Sequence, residues 1–259
     1  GSPASYSSFV VEASSPEHIL EVRGVTASYT NDYYCEIKAM QPVGGTAKVL
    51  AKLHGSGDYC GVVDVHSVQA IFGESPIRMG MHSTQTLPVS VVPAHDSTLP
   101  FFFLVRDPTR QVIQQVTKSG ANLQVTSQQI GVDIFDMRIG DSPAIVDGFT
   151  TCGSNTVHVT KVDTLQYSVG DQLHYQPVPA TGPIWLNTGE TGPVPIYFKA
   201  TIAPEGAPWP EAKPQWALVP SPGQDASLAA PPLAPSPGPD IVSAIFAGAG
   251  AFDLSVGCG

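Results

Sequence analysis

Short runs in which alternate residues are apolar recur along this chain for about two hundred residues, separated by clusters of Gly, Pro, Asn and Asp. Val157, Val159 and Val162 stand among polar neighbours, and Val112 to Val116 carries interposed glutamines. A period of two puts one face of an extended segment in the core and the other in water. No stretch shows a sustained helical period with caps. The connecting segments VGGT, GSGD, RDPTR, KSGAN, SVGDQ and NTGET supply the residues that tight turns require. The expected fold class is therefore all-β, a single antiparallel β-sandwich or barrel-like domain with long loops. Phe101-Phe102-Phe103-Leu104-Val105 is apolar at every position, which predicts a central strand covered on both faces.

The texture changes at Pro204. Eleven of the 25 prolines lie between Pro204 and Pro239, and Lys213 is the last basic residue, so helix and central strand are both disfavoured there. The expected division is a β-rich body over 1–203, a Pro-rich wrapping arm or linker over 204–240, and a C-terminal strand segment over 241–259. Trp209, Trp216, Leu218 and Val219 favour an arm that packs on the body. The echo of TGPIWLN in TGPVPIY, from Thr181 and Thr191, predicts a hairpin around Thr188-Gly189 rather than an architectural repeat.

Hydrophobic residues make up 42% of the chain and charged ones 13%, which excludes a disordered protein. A net charge of −10 with no basic run gives no footprint for a phosphate backbone, so no nucleic-acid partner is expected. No apolar run approaches the roughly 20 residues that span a bilayer, so no membrane insertion is expected and the chain reads as soluble. It begins Gly1-Ser2 without methionine, read as a cloning scar or processing product of something longer. Cys35, Cys60, Cys152 and Cys258 allow a Cys35 to Cys60 bridge, with free buried thiols the plainer alternative. No Asn-x-Ser/Thr sequon occurs, which weighs against a eukaryotic secreted glycoprotein.

Gly140-Asp141-Ser142 resembles the segment around the nucleophile of chymotrypsin-like serine proteases, where it is followed by Gly-Gly-Pro. Here Pro143 follows instead. His66, His82 and His95 all lie within 80 residues of Ser142, and His95 and Asp96, being adjacent, face opposite ways if extended. A turn is the expected role of Ser142, with a serine hydrolase kept as the alternative. Tyr33-Tyr34-Cys35 is similar to the late-strand Tyr-x-Cys of immunoglobulin domains. Cys35 is the first cysteine and no tryptophan precedes it, so the motif does not carry that family; an immunoglobulin-like sandwich stays open as an architecture. The seven histidines lack metal-site spacing, and Asp133 and Asp136, three apart on a strand, face opposite sides. No catalytic residue, metal or cofactor is expected, and the chain reads as a binding protein rather than an enzyme.

What remains is surface. Tyr29, Tyr33 and Tyr34 surround a Thr-Asn-Asp turn, and the loops SGDY, MHSTQT and AHDST add hydroxyls and rings. Tyr29, Tyr33, Tyr34, Tyr59, His95 and Asp96 are the candidate ligand-binding residues. Strands joined by polar loops, few charges and a proline-rich exit resemble, over roughly residues 5 to 203, the protruding or spike domain of small non-enveloped virus capsids, as in astroviruses and hepeviruses. That resemblance implies a homodimer on the virion surface that engages a host receptor or glycan and carries neutralising-antibody epitopes. It assigns no receptor residue. A phage or cellular carbohydrate-binding module is the other alternative.

Overall fold

The computed structural model describes residues 9–14, 20–27, 33–39, 44–53, 59–93, 100–140, 151–179, 183–185, 193–210, 214–223, 230, 232–235, 240–246 and 250–257. Before residue 44, Glu21 excepted, and at residues 52, 53, 59, 60 and 194, only the backbone is described. The strands are β1 (Phe9–Ser14), β2 (Leu20–Ala27), β3 (Tyr33–Ala39), β4 (Gly45–Leu53), β5 (Tyr59–Ser67), β6 (Gln69–Phe72), β7 (Ile77–Gly80), β8 (Thr84–Val92), β9 (Phe101–Val105) and β10 (Ile113–Ser119). They continue with β11 (Asn122–Ser127), β12 (Gly131–Ile139), β13 (Thr151–Val169), β14 (Gln176–Pro177), β15 (Val194–Ala203), β16 (Gln215–Pro220), β17 (Ala234–Pro235), β18 (Ile241–Phe246) and β19 (Phe252–Gly257). The chain is all-β, with antiparallel sheets in a sandwich-like arrangement; β7 alongside β13 is a parallel pair.

The alternation seen in sequence explains the middle of the chain. Leu87 and Val89 on β8, Leu123 and Val125 on β11, Phe135 and Met137 on β12, and Val157 and Val159 on β13 are all buried. They meet in one core between a sheet ordered β10-β11-β8-β6 and a second ordered β9-β12-β13-β7. Phe135 stands at the centre, edge-on to Phe72 at 5.7 Å and to Phe103 at 6.1 Å. Labelled A to G in chain order, with β7 as an extra strand after A, these sheets are A-B-E-D against C-F-G, the constant-type immunoglobulin topology. Aromatic packing, not a disulfide, occupies its centre: Cys152 is free and buried.

β9 corrects one expectation. It lies at the edge of its sheet, bonded among the described strands to β12 alone, and all five of its residues are half-buried. An apolar run therefore reports partial cover on both faces, not a central position.

β13 links this sandwich to the next. Its 19 residues span about 60 Å at about 3.3 Å per residue, roughly three times a typical strand. Thr151 to Val159 pair with β12, and Lys161 to Val169 pair with β15. The register shift between Val162 and Thr164 leaves Asp163 as a bulge where the partner changes. Beyond it the order β13-β15-β18-β17 repeats A-B-E-D, and β16-β19 repeats C-F. Ile196, Phe198, Val242, Ala244 and Phe246 form this second core, with Trp216, Leu218, Phe252 and Leu254 packed on it. The second core thus draws on residues before and after Pro204, and β16 lies within the proline-rich stretch. Upstream, β1-β4-β5 repeats C-F-G and β2-β3 repeats D-E. Val68 alone separates β5 from β6. At that junction a Cβ on Gly44 would collide with the Val92 carbonyl oxygen, so only glycine fits.

Candidate functional site

Two connections of the middle sandwich are anchored at one end. The residues between β8 and β9 carry His95 and Asp96, and those between β12 and β13 carry Asp141 and Ser142. Ile139 pairs with Phe101, and the Gly140 N–H donates to the Pro100 carbonyl at 3.0 Å, so these connections spring from adjacent anchors. Gly140 has φ +127°, a conformation that side chains rarely adopt. Gln69 pairs with Val92, so the chain also enters the sandwich at this end, beside the first sheets.

On the outer face of the same sheet, three strands meet at Asp136. Its carboxylate accepts from Arg106 Nε at 3.1 Å and Nη2 at 2.8 Å, and from Ser154 Oγ at 2.7 Å, with Arg138 Nη2 at 3.6 Å. Burial pushes the carboxyl upward, but the bonds from Arg106 and Ser154 and the charges of Arg106 and Arg138 outweigh it and hold the pKa below its usual value. Ser154 also accepts from Arg106 Nη2 at 3.1 Å, so its hydroxyl is held between a guanidinium and a carboxylate whose lowered pKa makes it a weak base. Chemically this is a clamp across β9, β12 and β13, not a nucleophile.

Other reactive groups are similarly committed. Burial raises the Cys152 thiol to about 11, and its Sγ donates to the Met137 carbonyl, so it is a poor thiolate at neutral pH. A shallow cleft of about 220 Å³ is lined by Glu74, Ser75, Pro76 and Arg78, smaller than the usual ligand pocket. Glu74 already accepts from the Arg78 N–H and from Gln85 Nε2. Among the described residues no group of three or more His, Cys, Asp or Glu gathers to hold a metal ion. No helix among them is long and apolar enough to cross a membrane.

Of the candidate residues, Tyr33 opens β3 opposite Ala27, Tyr34 follows it opposite Thr26, and Tyr59 opens β5 opposite Lys52. Each stands just after a connection between antiparallel strands, with only its backbone described. Tyr29, His95, Asp96, Asp141, Ser142 and the Thr188-Gly189 hairpin lie outside the described residues, as does Cys258. Cys35 lies on β3 and Cys60 on β5, in different sheets, and their side chains are likewise outside. In MHSTQT, the Ser83 hydroxyl donates to the Gly80 carbonyl and Thr84 bonds Thr126, so these hydroxyls serve the fold. Asp133 turns into the sandwich and Asp136 outward, as their spacing implies. Sequence reasoning missed the clamp because Arg106 and Ser154 are 48 positions apart and nothing local links them.

No protein-family model and no curated protein matches the chain. Among solved structures it is similar to domains 4 and 5 of the S-layer protein SbsC, at 13% identity over 58% of this chain and 70% of that one, TM-score 0.27. It spans 37% of a longer SbsC segment, domains 4–9. The Escherichia coli adhesin FdeC matches at 14% identity over 95% of this chain and 79% of that one, TM-score 0.31. Immunoglobulin domains 1–5 of Sidekick-1 match at 11% identity over 75% and 52%, TM-score 0.25. Superpositions at this level assign neither fold nor function, and the immunoglobulin topology stands on strand order alone.

Proposed function

We propose that this chain is a non-catalytic recognition segment, in which connections at the ends of serial sandwiches bind a partner and the strands hold those connections in place. The observation that carries the reading is the Gly140 to Pro100 hydrogen bond. It joins the residue that precedes β9 to the residue that follows β12, and in variable-type immunoglobulin domains the equivalent B–C and F–G loops form a recognition surface. Tyr33, Tyr34 and Tyr59 stand beside strand connections of the first sheets and add aromatic anchors. The test is binding to a glycan array and to cells by His95→Ala/Asp96→Ala and Tyr33→Ala/Tyr34→Ala chains. Weakened binding with unchanged folding supports the reading, and unchanged binding in both removes it.

The narrower form is attachment from a virion surface as a capsid spike, engaging a host receptor or glycan and carrying antibody epitopes. It carries one further requirement, a homodimer. Light scattering giving about twice the 27.2 kDa chain mass supports it, and a monomer discards it. A hydrolase is the second reading, because His95, Asp96 and Ser142 hang from adjacent anchors. Labelling by a fluorophosphonate that is lost in Ser142→Ala would select it.

A further inference from the structure

The chain enters the middle sandwich through β6 and β7 and leaves it through β13. Val68 alone separates β5 from β6, and β13 runs without a break into the sheet of the next sandwich, so neither junction holds slack that could absorb a pull. Entry and exit strands are neighbours: Ile77 to Gly80 pair in parallel with Val157 to Thr160. Tension along the chain therefore draws β7 back towards Pro76 and β13 forward past Thr160, in opposite directions along one ladder, and strains its hydrogen bonds together. Were the two strands antiparallel, both chain ends would leave on the same side and the bonds would open one at a time.

The entry strands are tied down at each stage. β6 pairs with β8 from Gln69 to Phe72. Where the chain crosses from one sheet to the other, the Gly73 N–H donates to the Pro88 carbonyl at 2.8 Å. There too the side-chain amide of Asn155, a residue 2% exposed, donates to the Glu74 carbonyl at 2.7 Å. Past β7 the Met81 N–H donates to the Thr160 carbonyl at 2.7 Å, and the Gly80 carbonyl accepts from the Ser83 and Ser127 hydroxyls, each at 2.6 Å. Ile77, Met79, Val157 and Val159 are at most 2% exposed, which keeps water from the ladder bonds beside them. On the exit side, β12 holds β13 from Thr151 to Val159.

We infer that the middle sandwich is a mechanical link that carries tension along the chain, and that the β6–β8 and β7–β13 ladders set the load at which it opens. This inference rests on strand direction and pairing, independently of the recognition reading above. The experiment holds the full chain by engineered cysteines, with Cys35, Cys60 and Cys258 replaced by Ser and Cys152 left buried, and measures the time to rupture at constant load. Handles at Ser67→Cys and Asp163→Cys pull the β7–β13 ladder lengthwise, and handles at His82→Cys and Asp163→Cys pull the same ladder open from one end. Lengthwise, the sandwich is expected to last about tenfold longer at the same load. In that direction Asn155→Ala should rupture about tenfold sooner, whereas Leu123→Ala, in the same core but on β11, should shorten the lifetime far less for an equal loss of stability in urea. Equal lifetimes in the two directions would overturn the inference. So would lifetimes of Asn155→Ala and Leu123→Ala that fall in proportion to their loss of stability in urea, because the barrier would then be general loss of the core. If Asn155→Ala does not fold, the two directions decide between these outcomes, since both leave the ladder intact.

Discussion

The middle and C-terminal sandwiches repeat one strand order and differ in how much their shared positions bury. β12, flanked on both sides, encloses Phe135 and Met137 fully; β19, flanked on one side among the described strands, leaves Phe252 and Leu254 half-covered. The residue types are comparable. What differs among the described strands is the neighbouring strand, whose side chains on the same face pack beside these residues. Burial at a given position is thus a property of the assembled ladder rather than of the apolar residue alone.

The sharpest way to break the comparison is to truncate the two central rings. Phe135→Ala should cost about 3–5 kcal/mol, the usual loss for a fully enclosed aromatic, while Phe252→Ala should cost about 1–2 because part of its ring is already wet. The chain contains its own probes: Trp185, Trp209 and Trp216 all follow the middle sandwich, and Cys152 lies inside it. In urea, with Cys152 as the sole thiol, Phe135→Ala should make that thiol reactive at lower denaturant and displace the tryptophan transition less. Equal displacement of both signals would show that the sandwiches unfold as one unit.

Next in size is the clamp. Asp136→Ala leaves Arg138, 12% exposed, without its carboxylate, and should cost about 2–3 kcal/mol. Arg106→Ala, removing a side chain 51% exposed, should cost about 1 kcal/mol or less. The pH dependence has a definite sign. Asp136 titrates lower folded than unfolded, so its contribution is present above about pH 4 and is lost as pH falls through the folded value. Urea melts at pH 3 and pH 6 should converge in Asp136→Ala relative to wild type, with Cys152 exposure as the readout.

Alternation made the strands legible. Leu87 and Val89, Leu123 and Val125, and Val157 and Val159 are apolar at every second position and are buried as that period requires. Gly120, at φ 58°, sits in the tight connection of KSGAN, where the turn chemistry placed it. The repetition of the architecture was not legible. A sandwich needs only apolar residues at alternate positions, so β9 with Phe103 and β16 with Trp216 hold equivalent places without shared sequence. The passage of β13 from one sheet to the next was equally hidden: Thr160 and Lys161 break the period of two between Val159 and Val162, but such a break does not say that the partner strand changes there. Pairing across sequence decides where one core ends, and no local pattern encodes it.

The smallest expected effect sharpens the same contrast at the end of β13. After Val169 the chain turns at Gly170, and the exposed Asp171 carboxylate accepts from the Leu173 N–H at 2.9 Å, the His174 N–H at 3.1 Å and Ser168 Oγ at 3.1 Å, with His174 Nδ1 at 2.8 Å. The Leu173 amide foremost, then the bonds from His174, hold this carboxyl well below the usual range. The sign is that of Asp136: the contribution is complete above about pH 4 and is lost as pH falls from there toward the depressed folded value. The consequence differs, because Asp136 ties three strands of a core whereas Asp171 ties one turn in water. Asp171→Asn should therefore leave the urea transitions of both sandwiches in place. It should speed exchange of the Leu173 and His174 amides at neutral pH and make that exchange, corrected for intrinsic rate, independent of pH between 2 and 5. A shift of the tryptophan transition instead would mean that this turn sets the position of β13 against β15, making it part of the C-terminal core.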